Sequence, residues 1–562
     1  MLFFHCVACS LSKDSIALPA KQIKMFHKSH SGNSNHVGLL LYLYNLNHSV
    51  LLMKTPSDEL FNLIKSLSSQ EKRAFKLFSK QNSTKTAYLK LFEAIDSLEQ
   101  YDKKKLLLIF SKKGGIANFD FLKNYLHETL LGFLEYHYFD YSIEIQLQST
   151  LHRSEILCEK GLFSSAKKCL AKAEKMAIDH HEYLYLLLVF SWKKRLMIRQ
   201  PNPNIEAISE DADGVNEFHY MKLYKNVLEY QKINKRAMVL LGTHLKYVDK
   251  KRIAELNNLL KNPLLQDETK ALSLPAKMIY FGTLGEVHLL LENWEKADIY
   301  LKRVTGCWEQ ANVLPTTKLL VLQRLMIALQ GLNKSDEVIA VKNAAVQLVK
   351  SLPKKSATPR MYAMYIIVMT NYIDSQLSGL NIYEAAVACD EIQELVERHP
   401  NIQSSVGYYG NRIILSFLSS DYKKALFYCN KVLTIEKIVI QQGILLFIKM
   451  LSLVVHYELN NDELLPNLCQ RYTRDFEKQT QENKATQVLL NFFGKTIHKA
   501  PEKNRIDSNK QERIKLFIAL KKELEACKTD YLFTQFDFIS WCDSKIQNRL
   551  LLEVLREKVE KV

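Results

Sequence analysis

Glycine and proline are scarce in this chain, at 17 and 12 of 562 residues, against average usage near ~7% and ~5%. So few turn formers exclude a fold built from many tight β-turns and favour long helices joined by short connections. The glycines that exist form no nucleotide-binding loop. The adjacent pair Gly114-Gly115 follows a helical segment instead of linking a strand to a helix, so a phosphate cradle is not expected. No G-x-S-x-G or H-E-x-x-H occurs, and no acid–base pair sits in a segment that reads as a pocket. The chain offers no catalytic residue and no expected cofactor, and reads as a protein that is not an enzyme.

Long apolar runs are also missing. The stretch from Val37 to Met53 is broken by Asn45, Asn47 and His48 and falls short of the ~20 apolar residues that a membrane span needs. Met1-Leu2-Phe3-Phe4-His5 lacks the basic start of a signal peptide. The ten cysteines run from Cys6 to Cys542, and Cys158, Cys169, Cys389 and Cys429 take apolar positions of helical patterns. There a free thiol behaves as a small hydrophobe, which points to a reducing compartment. A cytoplasmic protein without a membrane span is the expectation.

The composition is otherwise that of a globular protein, 47% hydrophobic and 24% charged. Single cores stop growing near ~250–300 residues, so 562 imply several domains or one extended array. The net charge of +17 is spread along helix-like segments. Its densest runs include Lys103-Lys104-Lys105 and Lys193-Lys194-Arg195, which read as solvated helix faces.

Four regions follow from the patterning. Residues 1–52 form a leader without helical periodicity, either upstream sequence read in frame or a disordered or targeting extension. At Met53 a marked helix start begins. Thr55 can cap, Pro56 suits the first turn, and Asp58 and Glu59 meet the positive end of the helix dipole. Ser68-Ser69-Gln70-Glu71 is a capping box, and further amphipathic pieces at 88–98, 103–110 and 119–138 complete a small helical domain over 53–145. Residues 146–500 hold a run of helix pairs. Residues 501–562, with Trp541 and Cys542 in an apolar patch, form a helical C-terminal cap.

An aromatic residue, two spacers and an alanine recur four times: Phe163 with Ala166, Trp294 with Ala297, Tyr383 with Ala386, and Tyr422 with Ala425. Each set follows a short turn and lies between apolar helices. In a helical hairpin the aromatic fills the gap at the turn, and the alanine lets the two helices approach closely. Another unmarked pair is expected over 316–330 and 335–349, around Gly331. The fullest copy reads Phe281-x2-Leu284-Gly285-x2-His288, then Trp294, then Ala297-x3-Leu301. That resembles the tetratricopeptide (TPR) pattern W-x2-L-G-x2-Y followed by A-x3-F. Asp390 departs from the apolar position after Ala386, and the spacing fits a pitch of roughly 44 instead of ~34, so irregular HEAT-type pairs describe the same run.

Ser57-Asp-Glu-Leu-Phe-x-Leu-Ile-Lys-Ser-Leu-Ser-x-x-Glu71-Lys72-Arg73, Lys123-Asn124-Tyr125-Leu126 and Phe538-Ile-Ser-Trp541 resemble segments of a bacterial family of TPR-like proteins without assigned function. The resemblance implies the same architecture and brings no activity. The expected fold is all-α: an α-solenoid of TPR-like antiparallel helix pairs behind a small helical N-terminal domain.

The expected function is that of a protein-interaction scaffold. A solenoid groove would hold a peptide or helix of another protein, with Glu155, Glu286, Asn371, Asn411 and Arg412 facing the partner. The alternative is a DNA-binding regulator with an N-terminal helix-turn-helix, in which Lys103 to Lys105, Lys112, Lys113 and Lys123 approach phosphates. Against it, the apolar helix from Phe119 leaves little face for reading bases. A zinc site drawn from Cys6, Cys9, His27 and His30 is not favoured, because its histidines are too close together. His180-His181 reads as an exposed turn. Ala297→Leu is expected to destabilise, and Ala485→Leu, in a polar run, to be harmless.

Overall fold

The computed structural model describes residues 58–82, 87–111, 119–139, 142–200, 212–241, 250–311, 313–353, 358–398, 402–434, 442–476, 484–496, 506–527, 531–534 and 536–560. Helix accounts for 85% of them and none is in a strand, so the chain is all-α over its described length. These residues fall into two compact units, one within 12–141 and one within 142–562. Among the described residues no helix is long and apolar enough to cross a membrane.

In the first unit, α1 (Glu59–Ser66), α2 (Ser69–Asn82), α3 (Ala87–Ser97), α4 (Lys103–Ser111) and α5 (Phe119–His137) follow one another. The capping box forms as the spacing predicts. The Glu71 amide donates to Ser68 Oγ at 3.2 Å, and the Ser68 amide donates to Glu71 Oε2 at 2.7 Å. The other Glu71 oxygen accepts from the Tyr138 hydroxyl at 2.6 Å, which ties the start of α2 to the end of α5. Phe75 forms the centre of the core, with Phe92 and Phe133 at centroid distances of 4.9 and 5.4 Å. The Thr55 cap and Pro56 lie outside the described residues.

The second unit opens with α6 (Ile143–Glu159), α7 (Phe163–Asp179), α8 (Tyr183–Arg199), α9 (Ala212–Leu241) and α10 (Lys250–Leu260). Five successive hairpins then follow: α11 (Leu274–Leu290) with α12 (Trp294–Gly306), α13 (Pro315–Gly331) with α14 (Ser335–Ser351), α15 (Pro359–Ser378) with α16 (Ile382–Arg398), α17 (Ile402–Leu418) with α18 (Tyr422–Leu433), and α19 (Gln442–Glu458) with α20 (Leu465–Phe476). The last helices are α21 (Lys484–Asn491), α22 (Ile506–Glu525), α23 (Phe538–Gln547) and α24 (Leu551–Glu560). Each helix packs mainly on its neighbours in sequence, and α13, α15 and α17 also pack on one another in succession.

One turn geometry recurs. Glu292, Asn333, Leu380, Ser420 and Asn460 all have φ between 55° and 59°, at intervals of 41, 47, 40 and 40 residues. After each, the next amide donates to a carbonyl five residues back: Asn293 to His288, Lys334 to Leu329, Asn381 to Gln376, Asp421 to Ser416 and Asn461 to His456. This is the Schellman closure, which satisfies carbonyls that a helix end leaves unpaired. Gly161 and His181 make the same turn on either side of α7, so His181 does sit in a turn, but it and His180 are half-buried instead of exposed.

The turn sets the register of the second helix. Five residues beyond the left-handed position stand Ala166, Ala297, Val338, Ala385, Ala425 and Leu465, each at 1% exposure or less. Phe163, Trp294 and Tyr422 lie two residues beyond it and pack at the turn, part-buried. The third marked set needs correction. Tyr383 is 77% exposed and Ala386 only half-buried, because Leu380, not Asn381, carries the left-handed backbone. Ile382, Ala385 and Cys389 hold the equivalent places. Asp390 therefore breaks no pattern: the apolar position is Cys389, fully buried.

First and second helices differ in burial. Along α11 every residue from Thr283 to Leu290 is buried, and along α13 every residue from Leu322 to Leu329. In α12 only Ala297, Asp298, Leu301 and Val304 are. Close approach explains the glycines in this pair. A Cβ on Gly285 would come within 2.8 Å of Leu301, and one on Gly331 within 2.4 Å of the Trp294 ring. Phe281 and Leu284 complete the contact, each 3% exposed.

The C-terminal helices join the same core. Trp541 is fully buried against Tyr457, Phe493 and Phe517, and its indole N–H donates to Glu458 Oε1 at 2.7 Å. Ala485 is a second correction. It is fully buried in α21, although its preceding neighbours are polar, so it has no route to water.

Candidate functional site

The turns of the second and third hairpins and the start of α12 enclose a cleft of about 380 Å³. Its walls include Trp294, Gly331, Lys334, Ser335, Ser375 and Ser378. The absence of a side chain at Gly331 lets the indole lie against α13, where it forms an apolar wall beside three hydroxyls. Lys334 Nζ bonds Asp298 Oδ2 at 2.9 Å and Glu337 at 3.2 Å, and these contacts raise its pKa. Lys302 joins the same two carboxylates at 2.9 and 2.5 Å, and both lysines hold the Glu337 carboxyl below its usual range. The cleft thus combines an aromatic surface, hydroxyl donors and acceptors, and a fixed ion network. That chemistry suits side chains and backbone of an extended peptide.

Four of the five residues expected to face a partner lie elsewhere. Glu286, Asn371, Asn411 and Arg412 are 7%, 4%, 1% and 4% exposed. They lie buried along the seam between hairpins, which corrects the expectation of an open groove at these positions. Glu286 faces Arg324 of the following first helix at 3.7 Å; burial pushes its carboxyl up, and the guanidinium opposes that shift. Asn411 donates to the Thr370 carbonyl at 2.9 Å, and Gln330 donates to the Asn371 carbonyl at 2.8 Å. Arg412 bonds Tyr408, Asp390 and Gln393 at 2.6–2.8 Å. Glu155 alone stays open, 3.7 Å from His152. Polar residues on a fully enclosed helix have no solvent to face, so they serve as ties between helices.

In the first unit Lys103, Lys104 and Lys105 are exposed at the start of α4, where Asp102 accepts from the Lys105 amide at 3.0 Å. Burial lowers the pKa of Lys123, which also feels Asp120, Lys103, Asp58 and Glu59, so its surroundings are mixed in sign. The expectation of an enclosed α5 holds for Phe119, Leu126 and Leu130. Phe121, however, is 72% exposed, and its ring stacks on Tyr125 at 6.5 Å. Lys112, Lys113 and the Cys6, Cys9, His27 and His30 set lie outside the described residues. Among the described residues no three His, Cys, Asp or Glu side chains converge as metal ligands. Burial pushes the thiols of Cys389 and Cys429 up to about 12, as expected for cysteines packed as hydrophobes. Cys158 is buried as well, and Cys169 is half-buried.

Sequence reading also missed an outward apolar row. Ile299, Val387 and Phe427, each seven residues beyond a left-handed turn residue, are 57%, 47% and 53% exposed, and Ile339 is 41% exposed near the same place on α14. Only the turn register aligns them, because the chain between them varies in length. No family model matches the chain, and no curated protein or solved structure matches it.

Proposed function

We propose that residues 146–500 form an α-solenoid of TPR-like hairpins and that the protein is a scaffold holding a segment of another protein, without catalysis of its own. The observation that carries this reading is the recurrence of one Schellman-closed turn at intervals of 40 to 47 residues, with a small or apolar buried residue five places on. Stacked units of that kind bury a shared core and leave ridged surfaces for binding. The partner segment docks at the turn edge, in the cleft beside Trp294, since the polar groups of the first helices are buried in the seam and out of reach.

The reading is tested by placing a photo-crosslinking amino acid at Ser378 of the full chain in cells, with Lys168, exposed on α7, as the control position. A discrete protein adduct at Ser378, absent from the control and lost when Ser375→Trp fills the cleft, is expected. Equal labelling at both positions, or an adduct indifferent to Ser375→Trp, would overturn the cleft as the docking place.

A further inference from the structure

Two neighbouring outer helices carry opposite charge. Helix α16 has Glu384, Asp390, Glu391, Glu394 and Glu397 against a single arginine, Arg398. Helix α18 has Lys423, Lys424 and Lys431 and no carboxylate. Arg412 lies between them, bonded to Asp390 and Gln393 of α16 and 5.9 Å from the Tyr428 ring of α18, so the two helices are adjacent.

Both carry apolar side chains in the open. Tyr383 is 77% exposed and Val387 47% on α16, and Phe427 is 53% exposed on α18. Glu384 and Glu394 flank the first pair, while Lys423 and Lys424 flank Phe427, and all four are exposed. Large exposed apolar side chains grouped within a charged frame mark interaction surfaces.

We propose that this face docks a second copy of the chain, α16 of each molecule lying on α18 of the other about a two-fold axis. A surface made of one acidic and one basic helix side by side is its own complement under that rotation. The acid of each copy meets the base of the other twice, and Tyr383 and Val387 cover Phe427. That is the isologous contact of a two-fold dimer. A partner that was uniformly acidic or basic would be attracted by one helix and repelled by the other.

Magnitude sets the strength. Seventeen residues of α16 extend about 25 Å at ~1.5 Å per residue. The twelve residues of α18 extend about 18 Å. At a helix diameter of ~10 Å the two faces cover roughly 430 Å² per copy, near ~860 Å² in total, in the range of weak, transient contacts. The dimer is therefore weak, and because its charges are exposed it weakens further with salt. The inference does not rest on the cleft reading above.

Sedimentation of the full chain tests it. The wild type should pass from monomer to dimer as concentration rises at low salt, and return to monomer at high salt. Glu384→Lys with Glu394→Lys reverses the two carboxylates beside Tyr383 and Val387, while Asp390 stays bonded to Arg412 and Glu391 to Lys342, and should abolish the dimer. Lys423→Glu with Lys424→Glu reverses the two cations beside Phe427 and should do the same. An equimolar mixture of the two variants should recover a dimer containing one of each, which simple misfolding cannot produce. A wild type that stays monomeric at every concentration, a dimer unaffected by either charge reversal, or a mixture that stays monomeric would each overturn the proposal.

Discussion

Within each of the five hairpins the first helix is enclosed and the second keeps one face in water. Helix α19, with the run Ile444-Leu-Leu-Phe-Ile-Lys-Met-Leu, buries nearly every side from Ile444 to Val455, whereas α18 buries Ala425, Tyr428, Cys429 and Val432 on a single stripe. A helix packed all round shows no periodicity, while one packed on a single face shows a clear one. The two therefore answer differently to the same change. Ile448 in α19 is fully buried and Ile299 in α12 is 57% exposed. Ile448→Ala is expected to cost about 2–5 kcal/mol, as removal of a buried branched side chain does. Ile299→Ala should stay within about 0.5 kcal/mol, the usual range for surface changes. Denaturant melts decide it, and equal losses at the two sites would remove the distinction between enclosed and outer helices.

The same contrast explains what was legible in the chain. Second helices could be found from sequence because an amphipathic stripe and a small residue at the crossing leave a pattern. Ala166, Ala297 and Ala425 were recognised that way, and all three are fully buried. Tyr383 misled because the cue of an aromatic before an alanine is local, whereas the register is set by a left-handed backbone at Leu380, a residue that gives no hint of it. Among the described residues glycine occupies that position only at Gly161; elsewhere Glu, Asn, Leu, Ser and His adopt it. The seam failed for a different reason. Glu286, Asn371, Asn411 and Arg412 look like surface residues by type, and only the stacking of one hairpin on the next encloses them. Burial of a polar side chain is a tertiary property, and a helix with no periodicity does not announce its faces.

Helix crossings give a sharper test of the second helices. Ala297 is fully buried where α12 meets α11, with Gly285 opposite Leu301 at the same contact. Added methylenes there would force the helices apart, so Ala297→Leu is expected to cost about 1–3 kcal/mol. Ala344, on the outer face of α14, is exposed. Ala344→Leu should change stability by less than about 0.5 kcal/mol, because both residues are good helix formers. Ala485→Leu belongs with the damaging change, since α21 buries Ala485 between Thr486, Leu489 and Leu490 on its packed side. Thermal melts of the three variants would place the crossing elsewhere if Ala297→Leu behaved like Ala344→Leu.

The smallest effect isolates the turn itself from all packing. Glu292 is exposed and held at φ 55°, and Gly161 makes the same turn at φ 74° with nothing within 4 Å of where a Cβ would stand. A left-handed backbone costs an L-residue about 1–2 kcal/mol relative to glycine, while glycine gives back roughly 0.5–1 kcal/mol through its freer unfolded chain. Glu292→Gly should therefore stabilise by about 0.5 kcal/mol. Gly161→Ala should destabilise by a similar amount, purely through the backbone. Glu292→Val should be the worst of the three, because branching at Cβ crowds the left-handed region further. Only the sign and order matter, and denaturant midpoints resolve both. If Glu292→Gly and Glu292→Val unfold alike, the residue is not left-handed, and the register that aligns Ile299, Val387 and Phe427 on the outer face goes with it.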